Sequence, residues 1–278
     1  MTLIEANGVQ VKVHDTGAPA GRPDAPAVVF GHGLLFSGHM FDAQVARLRS
    51  SYRCVTIDWR GQGQTPATSD GYDMDTLFSD AAAVIERLDA GPVHYVGLSM
   101  GGFVGMRLAA RRPELLRTLT LLDTSAGPED PDKVKQYRLL ASIYRWVGMK
   151  PLEGKVKPLM FGPAFLASPG ADRAVARWKS VLAGADRGGM KKAIHGVTDR
   201  LPIADELSAI TVPTLIVVGE DDVATPVHKS ETIAAGISGS TLRTVPDCGH
   251  SSTVEQPEIL ADLIEEFLTA RDKGDSID

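Results

Sequence analysis

Ser99 is the residue around which a reaction can be built. It lies in Gly97-Leu98-Ser99-Met100-Gly101-Gly102, after the apolar run Val93-His94-Tyr95-Val96 and before Phe103-Val104-Gly105-Met106-Arg107-Leu108-Ala109-Ala110, where apolar residues recur at helical spacing. The local expectation is strand, sharp turn, helix. Strand and helix backbones approach closely at such a turn, so the positions two residues either side of the serine must be small; Gly97 and Gly101 occupy them. The turn lifts the hydroxyl clear of the sheet and places it beside a helix N-terminus, whose N–H groups can meet an oxygen. A serine hydroxyl is a poor nucleophile near neutral pH. It needs a base with a pKa near seven and a third group to orient that base.

The chain offers both in the order serine, acid, histidine. His250 follows Gly249 in a late loop, and Asp222 closes Gly219-Glu220-Asp221-Asp222, four residues before Pro226. Asp222 is the expected acid; Asp221 reads as solvated or bonded within its loop, and Asp123, at the end of the preceding strand, is the second candidate. Ser99, the acid and His250 each stand at or after the end of an expected strand. In a parallel sheet those ends share one edge, where ligands bind. The backbone N–H groups of Leu34, in Gly31-His32-Gly33-Leu34, and of Met100 are the expected donors to a tetrahedral oxyanion. His32, between two glycines, reads as a brace for its loop. The chemistry so assembled is hydrolysis of a carboxylic ester or lactone through an acyl-enzyme on Ser99.

The elements that must hold these groups follow from pattern. Residues 3–16 alternate around Asn7-Gly8 as an edge hairpin. Short apolar strands are expected at Ala27 to Phe30, Tyr52 to Ile57, Leu115 to Leu122, Thr214 to Val218 and Thr241 to Val245, with helices at Met40 to Leu48, Thr76 to Leu88, His228 to Ala235 and Pro257 to Leu268. Alternation with short connections predicts an α/β chain whose mostly parallel sheet carries helices on both faces. Asp58 and Arg60 read as ties within the loop that closes the strand after Tyr52. The rhythm breaks between residues 127 and 207, where prolines and short helices but no strand are expected, among them Val134 to Val147 with the stripe Leu139, Leu140, Ile143 and Val147. This divides the chain into core (1–126), helical cap (127–207) and core again (208–278). The cap holds 14 Lys and Arg against 9 Asp and Glu, and the rest 15 against 26. A basic lid on an acidic body could steer an anionic substrate, although a solvated helical surface has the same composition.

The length of 278 residues suits one α/β domain with an insertion, and a net charge of −6 argues against nucleic acid or a polyphosphate partner. With no secretory signal and no apolar run near 18 residues, a cytoplasmic, non-membrane protein is expected. Cys54 and Cys248 form no framework and are expected reduced. No two of the seven histidines form an i, i+4 or His-x-His pair, so no metal or other cofactor is expected. The partner is a small-molecule substrate; assembly state is open.

Gly31-His32-Gly33, Asp58-Trp59-Arg60-Gly61-Gln62-Gly63, the Gly97 to Gly102 turn and Gly249-His250 together make the chain resemble α/β-hydrolase-fold serine hydrolases over nearly its whole length. Within them, Asp222-Val223-Ala224-Thr225-Pro226 and Gly249-His250-Ser251-Ser252 with Glu255-Gln256-Pro257-Glu258 are similar to 3-oxoadipate enol-lactonases and related ester and lactone hydrolases. That resemblance implies a dicarboxylate substrate, which a basic cap would suit. The loop Leu34-Leu35-Phe36-Ser37-Gly38-His39-Met40 and the cap depart from the lactonase pattern, and substrate choice resides there. Perhydrolase or haloperoxidase chemistry, carbon–carbon bond hydrolysis and a non-catalytic receptor remain alternatives on the same fold.

Overall fold

A computed structural model describes residues 2–274. Its sheet contains β1 (Thr2–Ala6), β2 (Val9–Asp15), β3 (Ala27–Gly31), β4 (Arg53–Ile57), β5 (Val93–Leu98), β6 (Leu116–Leu122), β7 (Thr214–Gly219) and β8 (Thr241–Val245). The spatial order is β1-β2-β4-β3-β5-β6-β7-β8. β1 pairs antiparallel with β2, and β2 with β4; the remaining pairs are parallel. The edge hairpin turns through Asn7 and Gly8, both at positive φ, as an Asn-Gly turn requires.

Helices α1 (Asp42–Leu48), α2 (Met74–Arg87), α3 (Met100–Arg111), α9 (Val227–Gly236) and α11 (Pro257–Lys273) cover the sheet. Strand side chains alternate between its faces. Val29, Val55, Tyr95, Leu119 and Ile216 pack with α2, α3 and α9, whereas Val28, Phe30, Val96, Leu122 and Val217 pack with α1 and α11. Both faces are therefore buried, which is why these strands read as continuous apolar runs. Each such side chain contributes about 1.5–3 kcal/mol through burial. Between β6 and β7 come α4 (Pro131–Val147), α5 (Glu153–Met160), α6 (Pro163–Leu166), α7 (Ala171–Gly184) and α8 (Arg187–Thr198), and the short α10 (Ser252–Glu255) precedes α11. No helix among the described residues is long and apolar enough to cross a membrane.

Two local expectations need correction. The helix expected from Met40 begins as a 3-10 turn, Gly38–Phe41, and becomes α-helical only at Asp42. The α4 stripe of Leu139, Leu140, Ile143 and Val147 is not the buried face: Leu140, Ala141 and Tyr144 are buried, while Leu139, Ile143 and Val147 face solvent beside Trp146. The helix is apolar on two sides, and periodicity alone does not say which side meets the core.

Asp58 ties its loop as expected, whereas Arg60 reaches out of the loop to α2 and to the Asn7 carbonyl. The Asp58 carboxylate accepts from the N–H of Gly38 (2.7 Å) and of Gln64 (2.8 Å), and Arg60 pairs with buried Asp80 at 2.6 Å. His32 accepts from the Trp59 N–H at 3.1 Å through Nε2, so Nδ1 carries the proton and donates to the Gly33 carbonyl at 2.7 Å. Both ring nitrogens of this buried histidine are committed to the loop. Packing is close under α3, where a Cβ on Gly101 would stand 1.9 Å from the Gly31 carbonyl oxygen and one on Gly97 would stand 2.4 Å from that of Gly101. Both obstacles are backbone. Gly101→Ala should destabilise the chain by about 1–3 kcal/mol or more through overpacking, read as a lower midpoint of urea unfolding; an unchanged midpoint would show that this contact yields at no cost.

Candidate active site

Ser99 follows β5 and precedes the first residue of α3. Its backbone sits at φ 51° and ψ −110°, a conformation that costs an L-residue of order 1–3 kcal/mol. The Ser99 N–H donates to the Leu122 carbonyl at 2.8 Å, and its own carbonyl accepts from Gly102, Phe103 and the Thr124 hydroxyl. The backbone is thus held in place from both sides, and Oγ is turned toward the C-terminal edge of the sheet. Met100, as the first helical residue, has an N–H with no partner within α3. Leu34 lies on the loop after the neighbouring strand β3, next to Ser99 at the position of Gly33, and with Ser99 lines the same cavity. Neither amide is committed to a protein acceptor among the described residues. β3 and β5 flank the point where strand order reverses, the usual crevice for ligands in such sheets.

His250 Nε2 stands 3.0 Å from Ser99 Oγ, and Nδ1 stands 2.9 Å from Asp222 Oδ2. With Nδ1 donating to the carboxylate, Nε2 is left to accept from the serine hydroxyl. Asp222 is fully engaged: Oδ1 accepts from the N–H of Ala224 (2.8 Å) and of Thr225 (2.9 Å), and Oδ2 also accepts from the Thr225 hydroxyl (2.7 Å). Burial would raise the Asp222 carboxyl, but the His250 charge and these hydrogen bonds outweigh it and hold it below the ordinary value. Burial would lower the imidazole; the adjacent Asp222 carboxylate wins and raises His250 above its usual 6.5. Asp221 lies beside this cluster, its N–H donating to the Cys248 carbonyl.

Asp123 lies close by but is differently bonded. Its Oδ1 accepts from the Gly219 N–H at 2.9 Å, and Oδ2 meets the Ser252 hydroxyl. Burial first, then the charge of Asp222, pushes it up to about 8. Of the two candidate acids, the structure brings only Asp222 into hydrogen-bond contact with His250. Sequence reasoning missed Thr225 and Ser252. Thr225 has a local signal, since a threonine three residues after an aspartate can close a turn on its carboxylate; Ser252 has none.

The cavity beside Ser99 and His250 is lined by Leu34, Leu35, Phe103, Tyr137, Leu140, Tyr144, Met149, Leu152, Val156, Leu159, Met160, Ile194 and Val197, with Glu129, Thr198 and Thr225 among the few polar residues. No lysine or arginine lines it among the described residues. The basic residues of the segment between β6 and β7 lie outside this lining, as a solvated helical surface would have them. Lys135, Arg138, Arg145 and Lys150 are exposed, where water solvates them, and Arg200 is buried against Glu129 at 3.0 Å. An unpaired ammonium in an apolar wall would carry a large desolvation cost.

Comparison with known proteins shows the family and the fold. A family model described as "Alpha/beta hydrolase family" matches residues 28–263, and the chain belongs to that family. A provisionally named carbamate hydrolase, RutD of Rhizobium rhizogenes, is 29% identical over 252 residues, covering 90% of this chain and 95% of that one. A thermophilic esterase from Thermogutta terrifontis superposes with a TM-score of 0.86 at 27% identity, covering 97% of each chain. The enol-lactonase of Burkholderia xenovorans LB400 superposes with a TM-score of 0.87 at 25% identity, covering 96% of this chain and 99% of that one.

The two carboxylates can be told apart by substitution. Asp222→Asn should lower kcat by about 10⁴-fold, because the amide favours the wrong imidazole tautomer. Asp123→Asn, which replaces a group already protonated near neutrality, should leave kcat within the same order of magnitude; the reverse pattern would transfer the orienting role to Asp123. In the unmodified chain kcat/KM should fall as pH drops through the His250 titration, since only the neutral ring can accept a proton. The midpoint of that acid limb should lie above 6.5, the direction in which Asp222 shifts the ring.

Proposed function

We propose that the chain hydrolyses uncharged carboxylic esters, with apolar lactones as the cyclic variant, through an acyl-enzyme on Ser99. The observation that carries this reading is the Ser99–His250–Asp222 chain of hydrogen bonds opening on a cavity with an apolar wall. As Ser99 Oγ bonds to the acyl carbon, His250 Nε2 takes its proton and the carbonyl oxygen becomes an oxyanion. The N–H groups of Leu34 and Met100 hold that charge, each donor worth about 3 kcal/mol to the barrier. Collapse breaks the ester C–O bond, and the leaving alkoxide takes the proton from His250. Water then attacks the acyl-enzyme, giving its proton to His250, and Ser99 leaves as the hydroxyl.

The enol-lactone of a dicarboxylic acid fits this cavity poorly. Ring closure leaves one free carboxylate, which would lose hydration beside a wall without a lysine or arginine and gain no partner. The esterase side of the similarities therefore supports the substrate class better than the enol-lactonase side, although both share the carbonyl chemistry.

A panel of p-nitrophenyl acetate, butyrate and octanoate, γ-butyrolactone and a carboxylate-bearing enol-lactone decides the matter. Butyrate or octanoate should turn over fastest, the anionic enol-lactone slowest, and Ser99→Ala should abolish the turnover of all. Fastest turnover of the anionic enol-lactone would overturn the substrate class, and a fully active Ser99→Ala would overturn the mechanism. A folded chain inert to the whole panel would point instead to the receptor, peroxide or carbon–carbon chemistries.

A further inference from the structure

Glu255 is a buried carboxylate that the reaction described above does not use. It ends α10, and three backbone N–H groups converge on it. Gly249 and Gly162 donate to Oε2 at 2.8 and 2.9 Å, and Ser251 donates to Oε1 at 2.9 Å. Gly249 and Ser251 are the two neighbours of His250 in the chain. Gly162 belongs to the connection between α5 and α6, in the segment that walls the cavity. The two glycines touch: a Cβ on Gly249 would stand 2.2 Å from the Gly162 nitrogen. Ser251 adds a second tie, its hydroxyl donating to the Met160 carbonyl at 2.5 Å, and Met160 lines the cavity together with His250.

No lysine or arginine forms a salt bridge with Glu255 among the described residues, so its charge is met by amide dipoles. Burial raises its carboxyl above the ordinary value, while the three N–H groups pull the other way by stabilising the ionised form. The charged and titratable groups around His250 are Asp222, Asp123 and Glu255, each of which favours the protonated ring when ionised, and Cys248 adjoins them with its thiol held protonated by burial.

We propose that Glu255 is a positioning residue, a buried clasp that fixes the backbone on both sides of His250 and couples it, through Gly162, to the cavity wall at Met160. The clasp makes the seat of the imidazole and the closure of the cavity one mechanical unit. A segment that lifts from the site pulls on the same carboxylate that aligns the base. This inference rests on His250 acting as the base.

Glu255→Gln tests it, because it keeps the shape but removes the charge and turns one acceptor oxygen into an NH₂ that faces N–H groups. With p-nitrophenyl butyrate, kcat should fall by about tenfold to a hundredfold, the loss expected when a base is misplaced by a fraction of an ångström to an ångström. KM should rise as the wall at Met160 loosens. The His250 ring, followed by proton NMR, should titrate at lower pH than in the unmodified chain. Wild-type kcat, KM and titration in a folded variant, whatever its melting temperature, overturn the proposal.

If Glu255→Gln does not fold, Gly162→Ala presses on the clasp from the other side, since its Cβ would stand 2.8 Å from the Gly249 nitrogen. It should raise KM and lower kcat with Glu255 intact, and unchanged kinetics would again be fatal. The NMR titration needs no turnover, so an active Ser99→Ala would sink the hydrolase reading without moving this readout.

Discussion

The contact of α3 with the end of β3 sets everything at this site. Gly101 lies so close to the Gly31 carbonyl that no side chain fits between them, and Gly97 meets the Gly101 carbonyl in the same way. The Tyr95 hydroxyl, buried under the turn, donates to that Gly101 carbonyl at 3.1 Å and fixes the depth of the approach. From this contact follow the positive φ of Ser99, the direction of its hydroxyl and the nearness of the Leu34 loop to the helix N-terminus. A looser approach would leave the serine in ordinary backbone, aimed elsewhere.

Charge at the site is governed by burial. The His250 imidazole and the carboxyls of Asp222 and Asp123 are shielded from water close to one another, and of these two acids only one can keep its negative charge cheaply. Asp222 keeps it because four hydrogen bonds converge on its two oxygens. Asp123, with two, holds its proton to about 8. The same apolar surroundings that make the pair unequal also sharpen the attraction between Asp222 and His250. Environment, rather than residue type, separates the two acids.

Legibility in the sequence tracked the range of the interactions involved. The turn around Ser99, the Asn7-Gly8 hairpin and the doubly buried strands depend on a few adjacent residues, so local pattern exposed them. Those pieces and their order implied a mostly parallel α/β sheet, and the resemblance carried by the Gly31, Asp58, Gly97 and Gly249 motifs implied the α/β-hydrolase fold. The buried face of α4 was not legible: Leu139 and Leu140 are equally apolar, and only the neighbouring elements decide which turns inward. Nor was the polarity of the cavity, because a count of lysines and arginines over 127–207 ignores which of them can remain hydrated. Ser252 takes its partner from Asp123, and Glu255 one of its three from Gly162, both far away in the chain, and no local spacing announces such bonds.

The cavity wall also limits how finely the site can discriminate. Its carboxylate, Glu129, is already held by Arg200, so shape and desolvation remain as the main means of telling one acyl chain from another. In an apolar pocket each methylene changes selectivity by only about 1–3 kcal/mol. Preference among homologous substrates is then graded rather than absolute, and neighbouring chain lengths compete for the same site.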